Sequence, residues 1–237
     1  MKNKKIKKLI ITLSIICSTI ILLVGSFFIY TSIYYHADQI ALNVYKQTNV
    51  EDKNNLTIIY PEEESETAII FYPGAKVEAI SYLPLLDKLA DNGYLCILIH
   101  MPFNLAIFNS NAADQVFDQY QSIKNWYLCG HSMGGAMASS YASKNPDKLN
   151  GLILLGAYNY KNYQPSDTLT IYGSLNQSVE DQIDYQENVV EIEGGNHAQF
   201  GNYGFQKGDK VATISSDEQQ NQTVQAIIPF IESHNIN

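Results

Sequence analysis

The chain has 237 residues, 15 of them lysine and 24 acidic, giving a formal net charge of −9 at pH 7. It contains no arginine, the residue whose planar fork grips phosphates and carboxylates, which argues against strongly anionic substrates, and the acidic balance argues against nucleic acid as a partner. A preference for Lys, Asn, Ile and Tyr also matches AT-rich coding in a low-GC bacterium, which accounts for the missing arginine without reference to any substrate.

Five lysines (Lys2, Lys4, Lys5, Lys7 and Lys8) precede an uncharged run from Leu9 to Tyr35. About 20 apolar residues span a bilayer, and flanking lysines stay on the cytoplasmic side. Residues 1–35 therefore read as a cytoplasmic tip and transmembrane anchor, with the rest of the chain outside. The competing reading is a secreted protein freed by signal-peptide cleavage. Val24-Gly25-Ser26 offers small residues at a cleavage position, although apolar residues continue through Tyr30. Cys17 reads as a membrane-buried thiol and not a lipidation site, because bulky Ile16 precedes it. Residues 36–55 read as a short helix and connector, and 56–237 is the size of one domain with a full core. Beyond residue 37 only ten lysines face the 24 acids, so this domain is more acidic than the chain as a whole.

Within it, short apolar runs alternate with helical patterns. Leu56–Tyr60, Ala68–Tyr72, Leu95–His100, Trp126–Cys129, Leu152–Leu155, Leu169–Tyr172 and Val189–Ile192 read as about seven strands of one mostly parallel sheet. Helix candidates lie at Glu78–Asp91, Ala112–Gln121, Met133–Lys144 and after Ser215, where Ser215 and Glu218 form a capping-box pattern. The expected class is α/β with helices on both faces. Only about a dozen residues separate Leu155 from Leu169, which leaves no room for a cap domain. Cys96 and Cys129 read as core, the cysteines form no disulfide framework, and no spacing suggests a zinc site, phosphate cradle or dinucleotide cofactor.

The most informative segment is Gly130-His131-Ser132-Met133-Gly134, set between an apolar run and a helix-forming stretch that opens with Gly135 and Ala136. A strand that turns sharply into a helix lifts its serine clear of the sheet, and glycines on either side let helix and strand approach. Ser132 is the candidate nucleophile; a serine that only caps the helix is the bland alternative.

Active sites in such sheets lie at the carboxyl ends of strands. Pro73-Gly74-Ala75-Lys76-Val77 follows one, placed to supply an oxyanion-hole N–H from Ala75 or Lys76, with Met133 giving another; a plain Pro-Gly turn is the alternative. His197, in Gly194-Gly195-Asn196-His197 after the last strand, is the candidate general base, with His100 in reserve. After Leu169–Tyr172 the acid is expected within a few residues of Gly173, yet Asn176 stands there. Glu180 or Asp181 could reach back if the loop folds over, or both could be solvated surface acids. Gly201–Ser215 is long enough to fold over the site.

These residues resemble the α/β-hydrolase superfamily, and more narrowly the small membrane-anchored bacterial α/β hydrolases of the dienelactone-hydrolase-like group. The likeness extends to Tyr72-Pro73-Gly74-Ala75-Lys76-Val77, Met101-Pro102-Phe103-Asn104-Leu105-Ala106 and Gly194-Gly195-Asn196-His197-Ala198-Gln199-Phe200-Gly201. The resemblance implies Ser132 as nucleophile, His197 as base and an Asp where this chain has Asn176, and the connection from Gly173 to Val189 is short for the family. The expected function is hydrolysis of a small ester or lactone without a cofactor. The other expectation is an impaired hydrolase fold used for binding or sensing.

Overall fold

The computed structural model describes residues 2–47, 49–161 and 163–235, and the chain divides into two units, Met1–Tyr34 and Tyr35–Asn237. The first unit is one helix, α1 (Lys2–Ser32). Its 27-residue stretch Ile6–Ser32 is long and apolar enough to cross a membrane. At 1.5 Å per residue that stretch measures about 40 Å, more than the ~30 Å hydrocarbon layer.

The second unit opens with α2 (Gln39–Val44), capped by Asp38, whose Oδ1 accepts from Ile40 and Ala41 N–H at 2.9 and 3.1 Å. Among the described residues eight strands follow: β1 (Val50–Lys53), β2 (Leu56–Ile59), β3 (Thr67–Tyr72), β4 (Leu95–Ile99), β5 (Asn125–His131), β6 (Gly151–Leu155), β7 (Thr168–Gly173) and β8 (Val189–Ile192). They form one sheet in the order β1-β2-β4-β3-β5-β6-β7-β8. At one edge β1 pairs antiparallel with β2 and β2 pairs antiparallel with β4, and the remaining five pairings are parallel. This is the mostly parallel α/β architecture expected, with β1 as an additional edge strand inside the segment read as connector.

Alternate residues of the central strands feed two cores. Ile69 and Phe71 pack with α3 (Leu83–Ala90) and the last helix, through Leu86, Leu89, Ile227 and Ile231; Ala68, Ile70 and Tyr72 pack on the other face with Val116, Ala138 and Tyr141. Two helices are shorter than predicted. α3 starts at Leu83, after a separate 3-10 turn at Ala79–Tyr82, because Pro84 lacks an N–H and is tolerated only in a first turn. α4 covers only Asp114–Phe117: before it the buried Tyr72 hydroxyl takes the Ala113 N–H (2.7 Å) and donates to Ser110 O (3.0 Å), and after it the Gln119 and Tyr120 N–H groups turn to the carbonyls three residues back, Val116 O (3.0 Å) and Phe117 O (3.4 Å). α5 (Met133–Lys144), the short α6 (Gln177–Glu180) and α7 (Ser216–His234) complete the layers, and Ser215 Oγ caps α7 by accepting from Glu218 N–H at 3.1 Å.

Candidate active site

Ser132 sits between β5 and α5 at φ 52°, ψ −120°, a region that non-glycine residues avoid at a cost of about 1–3 kcal/mol. Two backbone bonds hold it there: its N–H donates to Leu155 O and its carbonyl accepts from Ala136 N–H, both at 3.0 Å. Helix and strand touch so closely that a Cβ on Gly134 would stand 2.1 Å from Tyr72 O, and one on Gly130 2.6 Å from Gly134 C. The Gly-x-Ser-x-Gly spacing is thus a packing requirement.

Met133 is the first residue of α5, where an N–H has no intrahelical acceptor. In the loop after β3, Lys76 (φ 58°) gives its N–H to Asn104 O at 2.8 Å, and Gly74 gives its own to Tyr82 Oη at 3.1 Å. Among the described residues the Ala75 N–H has no hydrogen-bond acceptor. Of the two donors that the sequence leaves open, Ala75 is the free one.

His197 follows β8 and is half-buried. Burial lowers its pKa, and the negative charge of Asp209 opposes that. Asn176, buried in the turn after β7, places its amide Nδ2 2.8 Å from His197 Nδ1, while Ser178 Oγ donates to its Oδ1 at 3.0 Å. An amide N–H facing Nδ1 requires a lone pair there and so leaves the ring proton on Nε2. A half-turn of the amide puts Oδ1 on Nδ1–H and frees Nε2 as a base. Ser178 serves either orientation, because a hydroxyl both donates and accepts.

Beneath His197 lies His131, fully buried, with the rings 4.6 Å apart. His131 Nε2 is 2.9 Å from His197 O, a carbonyl that can only accept, so Nε2 carries the proton and Nδ1 accepts from Tyr82 Oη at 2.8 Å. The chain Gly74 N–H, Tyr82, His131, His197 C=O ties the loop after β3 to the loop of the candidate base. Burial, with nearby His197, holds His131 well below the ordinary imidazole pKa. Gly156 (φ 51°) completes the floor: a Cβ there would lie 3.0 Å from His197 Nδ1.

Ser132, Met133 and His197 share a cavity of about 500 Å³ with Ile107, Met137, Ala157, Tyr158, Tyr160 and Val179 among its walls. Other candidates lie elsewhere. His100 bonds Thr57 Oγ1 at 2.7 Å. Glu180 and Asp181 are exposed, and among the described residues neither carboxylate is hydrogen-bonded to His197. The 201–215 loop packs on the His197 backbone and contributes no cavity wall. Sequence reasoning overlooked Gly156, Tyr82 and Asp209. A glycine directly after a strand was the one available signal, for Gly156. No group of three or more His, Cys, Asp or Glu side chains able to hold a metal occurs among the described residues.

The sequence profile of the alpha/beta hydrolase family matches residues 68–221. The chain belongs to this family. Among solved structures it is similar to a soluble variant of monoglyceride lipase from Saccharomyces cerevisiae (11% identity, 81% of this chain and 96% of that one, TM-score 0.54). It is also similar to a thermostable carboxyl esterase from Bacillus coagulans (12%, 78% and 97%, 0.52) and to a dienelactone hydrolase from Anabaena variabilis (15%, 74% and 91%, 0.51). At these identities the likeness is one of fold. No curated protein sequence matches the chain.

Proposed function

We propose that this α/β hydrolase cleaves small neutral carboxylic esters or lactones, with Ser132 as nucleophile and His197 as general base, and that residues 1–35 anchor it with the catalytic domain on the outer face of the membrane. The observation that carries the reading is the strained Ser132 opening onto one cavity with His197, beside the Met133 and Ala75 N–H groups. Ser132 Oγ attacks the acyl carbon as its proton passes to His197 Nε2, the two N–H groups hold the oxyanion, and the proton then leaves with the alcohol. Water repeats the sequence on the acyl-enzyme. A lactone's alcohol stays attached to the acyl group, so its release waits for water.

The apolar lining fits an uncharged substrate, and the volume is that of a small-molecule pocket. The solved structures of similar fold include proteins named as a lipase, an esterase and a dienelactone hydrolase, in keeping with ester chemistry. One observation favours a second reading, a binding or sensing protein on a hydrolase scaffold: Asn176 presents an N–H to His197 Nδ1, the orientation that leaves no free base at Nε2. Labelling of the full chain in detergent micelles by a fluorophosphonate separates the two. The hydrolase reading expects wild type to label, and Ser132→Ala and His197→Ala to abolish labelling. Folded but unreactive wild type refutes it.

A further inference from the structure

Asp209 lies in the loop between the His197 turn and α7, and its carboxylate is spent on the backbone of the candidate base. Oδ2 accepts from Ala198 N–H at 2.8 Å; Oδ1 accepts from His197 N–H at 3.3 Å and from Lys210 N–H at 2.9 Å. The carboxylate thus caps the 3-10 turn Ala198–Phe200, for which His197 is the N-cap residue. Its own loop is pinned on both flanks. Asn196 Nδ2 donates to Lys210 O at 2.8 Å, Thr213 N–H donates to Gly194 O at 2.9 Å, and Asp209 N–H donates to Gln206 O at 3.1 Å. Asp209 is half-buried, so its field is only partly screened.

The other groups near His197 bring no negative charge to it. From β5 comes His131, neutral with its proton on Nε2. From the start of α6 come the uncharged Asn176, its N-cap residue, and Ser178, with Glu180 and Asp181 exposed beyond them. From the 201–215 loop come the exposed Lys207 and Lys210, and Lys210 Nζ donates to Gln177 Oε1 at 3.2 Å.

We propose that Asp209 is a positioning residue that stands in for the missing triad acid, fixing the His197 backbone and supplying, from beneath the turn, the negative charge that stabilises His197 imidazolium. It rests on the reading of Ser132 and His197 as nucleophile and base. No proton passes to Asp209. The proton leaves Ser132 Oγ as the Oγ–acyl bond forms, stays on His197 Nε2 with Asp209 as counter-charge, and departs with the leaving alcohol. The effect is weaker than that of a carboxylate on Nδ1, because Asp209 bonds the backbone and not the ring, so ring orientation is left to Asn176.

The test is a histidine NMR titration of the full chain in detergent micelles, with His197 assigned by His197→Gln, run beside fluorophosphonate labelling rates. Asp209→Asn and Asp209→Ser, both neutral, are expected to move the His197 titration down by about half a pH unit or more and to slow labelling about tenfold. Asp209→Glu, which keeps the charge, is expected to restore most of both. In the Asn176→Asp background, where a carboxylate already faces the ring, the same Asp209 changes should have a smaller effect.

A His197 titration that stays put in a folded neutral variant overturns the proposal, as does an equal Asp209→Asn effect in both backgrounds, the mark of a merely structural cap. Should Asp209→Asn fail to fold, Asp209→Ser, which keeps an oxygen acceptor for the Ala198 N–H, carries the same measurement. The titration needs no turnover. If it responds to Asp209 while wild type stays unlabelled, the hydrolase reading fails and the proposal's catalytic role falls with it.

Discussion

Asn176→Asp puts a carboxylate where the amide now lies 2.8 Å from His197 Nδ1. Two effects follow. A carboxylate accepts only, so Nδ1 must carry the ring proton and Nε2 becomes the free base in every molecule. The charge also stabilises imidazolium: at about 4 Å and an effective dielectric constant of about 20, Coulomb's law gives about 4 kcal/mol, close to a factor of 10³. Burial takes back part of this, because position 176 is only 6% exposed, but a pairing hydroxyl from Ser178 and the Nδ1–H itself satisfy the new charge. The reverse change in a serine triad costs about 10⁴ in kcat. We therefore expect kcat/KM on an activated acetyl ester to rise about 10²–10³-fold. The acid limb of its pH profile should move to higher pH, because an opposite charge raises an imidazole pKa that burial now holds down. The assay is hydrolysis of p-nitrophenyl acetate with thermal unfolding as the control. A folded Asn176→Asp protein whose rate changes less than threefold would refute the tautomer argument.

Gly134→Ala places a Cβ 2.1 Å from Tyr72 O, a backbone atom that cannot swing aside, and should cost about 3 kcal/mol or more in urea unfolding. His131 is held neutral in the fold by burial and by His197, so the unfolded chain binds the extra proton and stability must fall as pH drops below about 6.5. Unfolding at pH 7.5 and 5.5 should show a loss of up to about 1.4 kcal/mol per pH unit from this group, and His131→Gln should flatten the slope. A chain that begins at Gln39 loses a strap to both site loops: Tyr35 N–H to Lys76 O and Asp38 N–H to Asn202 O at 2.8 Å, Glu78 N–H to Tyr35 O at 2.9 Å, and Lys207 N–H to Tyr35 Oη at 3.0 Å. At about 1 kcal/mol per bond these four amount to about 4 kcal/mol, and the Asp38 cap of α2 lost with them adds about 1, so thermal unfolding should report a loss of about 5 kcal/mol or more relative to a chain beginning at Ile33.

The sheet was legible because its strands are short apolar runs whose periodicity reports burial directly, and the elbow because the glycines that make it possible stand two residues from Ser132. β1 escaped notice for the same reason in reverse: Val-Glu-Asp-Lys is an edge strand with only Val50 partly buried, and charges that suit an edge look like loop in a sequence. Position 176 stands out in the sequence because the acid is expected just after the strand that ends at Gly173, and its contact with the candidate base follows from the pairing of β7 with β8. Which N–H of the Ala75-Lys76 pair is free could not be read that way, because the answer depends on Asn104 O. That carbonyl is aimed by two successive left-handed residues, Phe103 and Asn104 (φ 56° and 54°), that no local preference demands. Asp209 lies still further from any local rule. Apart from the adjacent Lys210 N–H, its partners are backbone N–H groups 12 and 11 residues away, available only because the 3-10 turn at Ala198 leaves them unpaired. A side chain that acts on a backbone leaves no spacing to read, so the charge that answers for Asn176 appears only once the chain is folded.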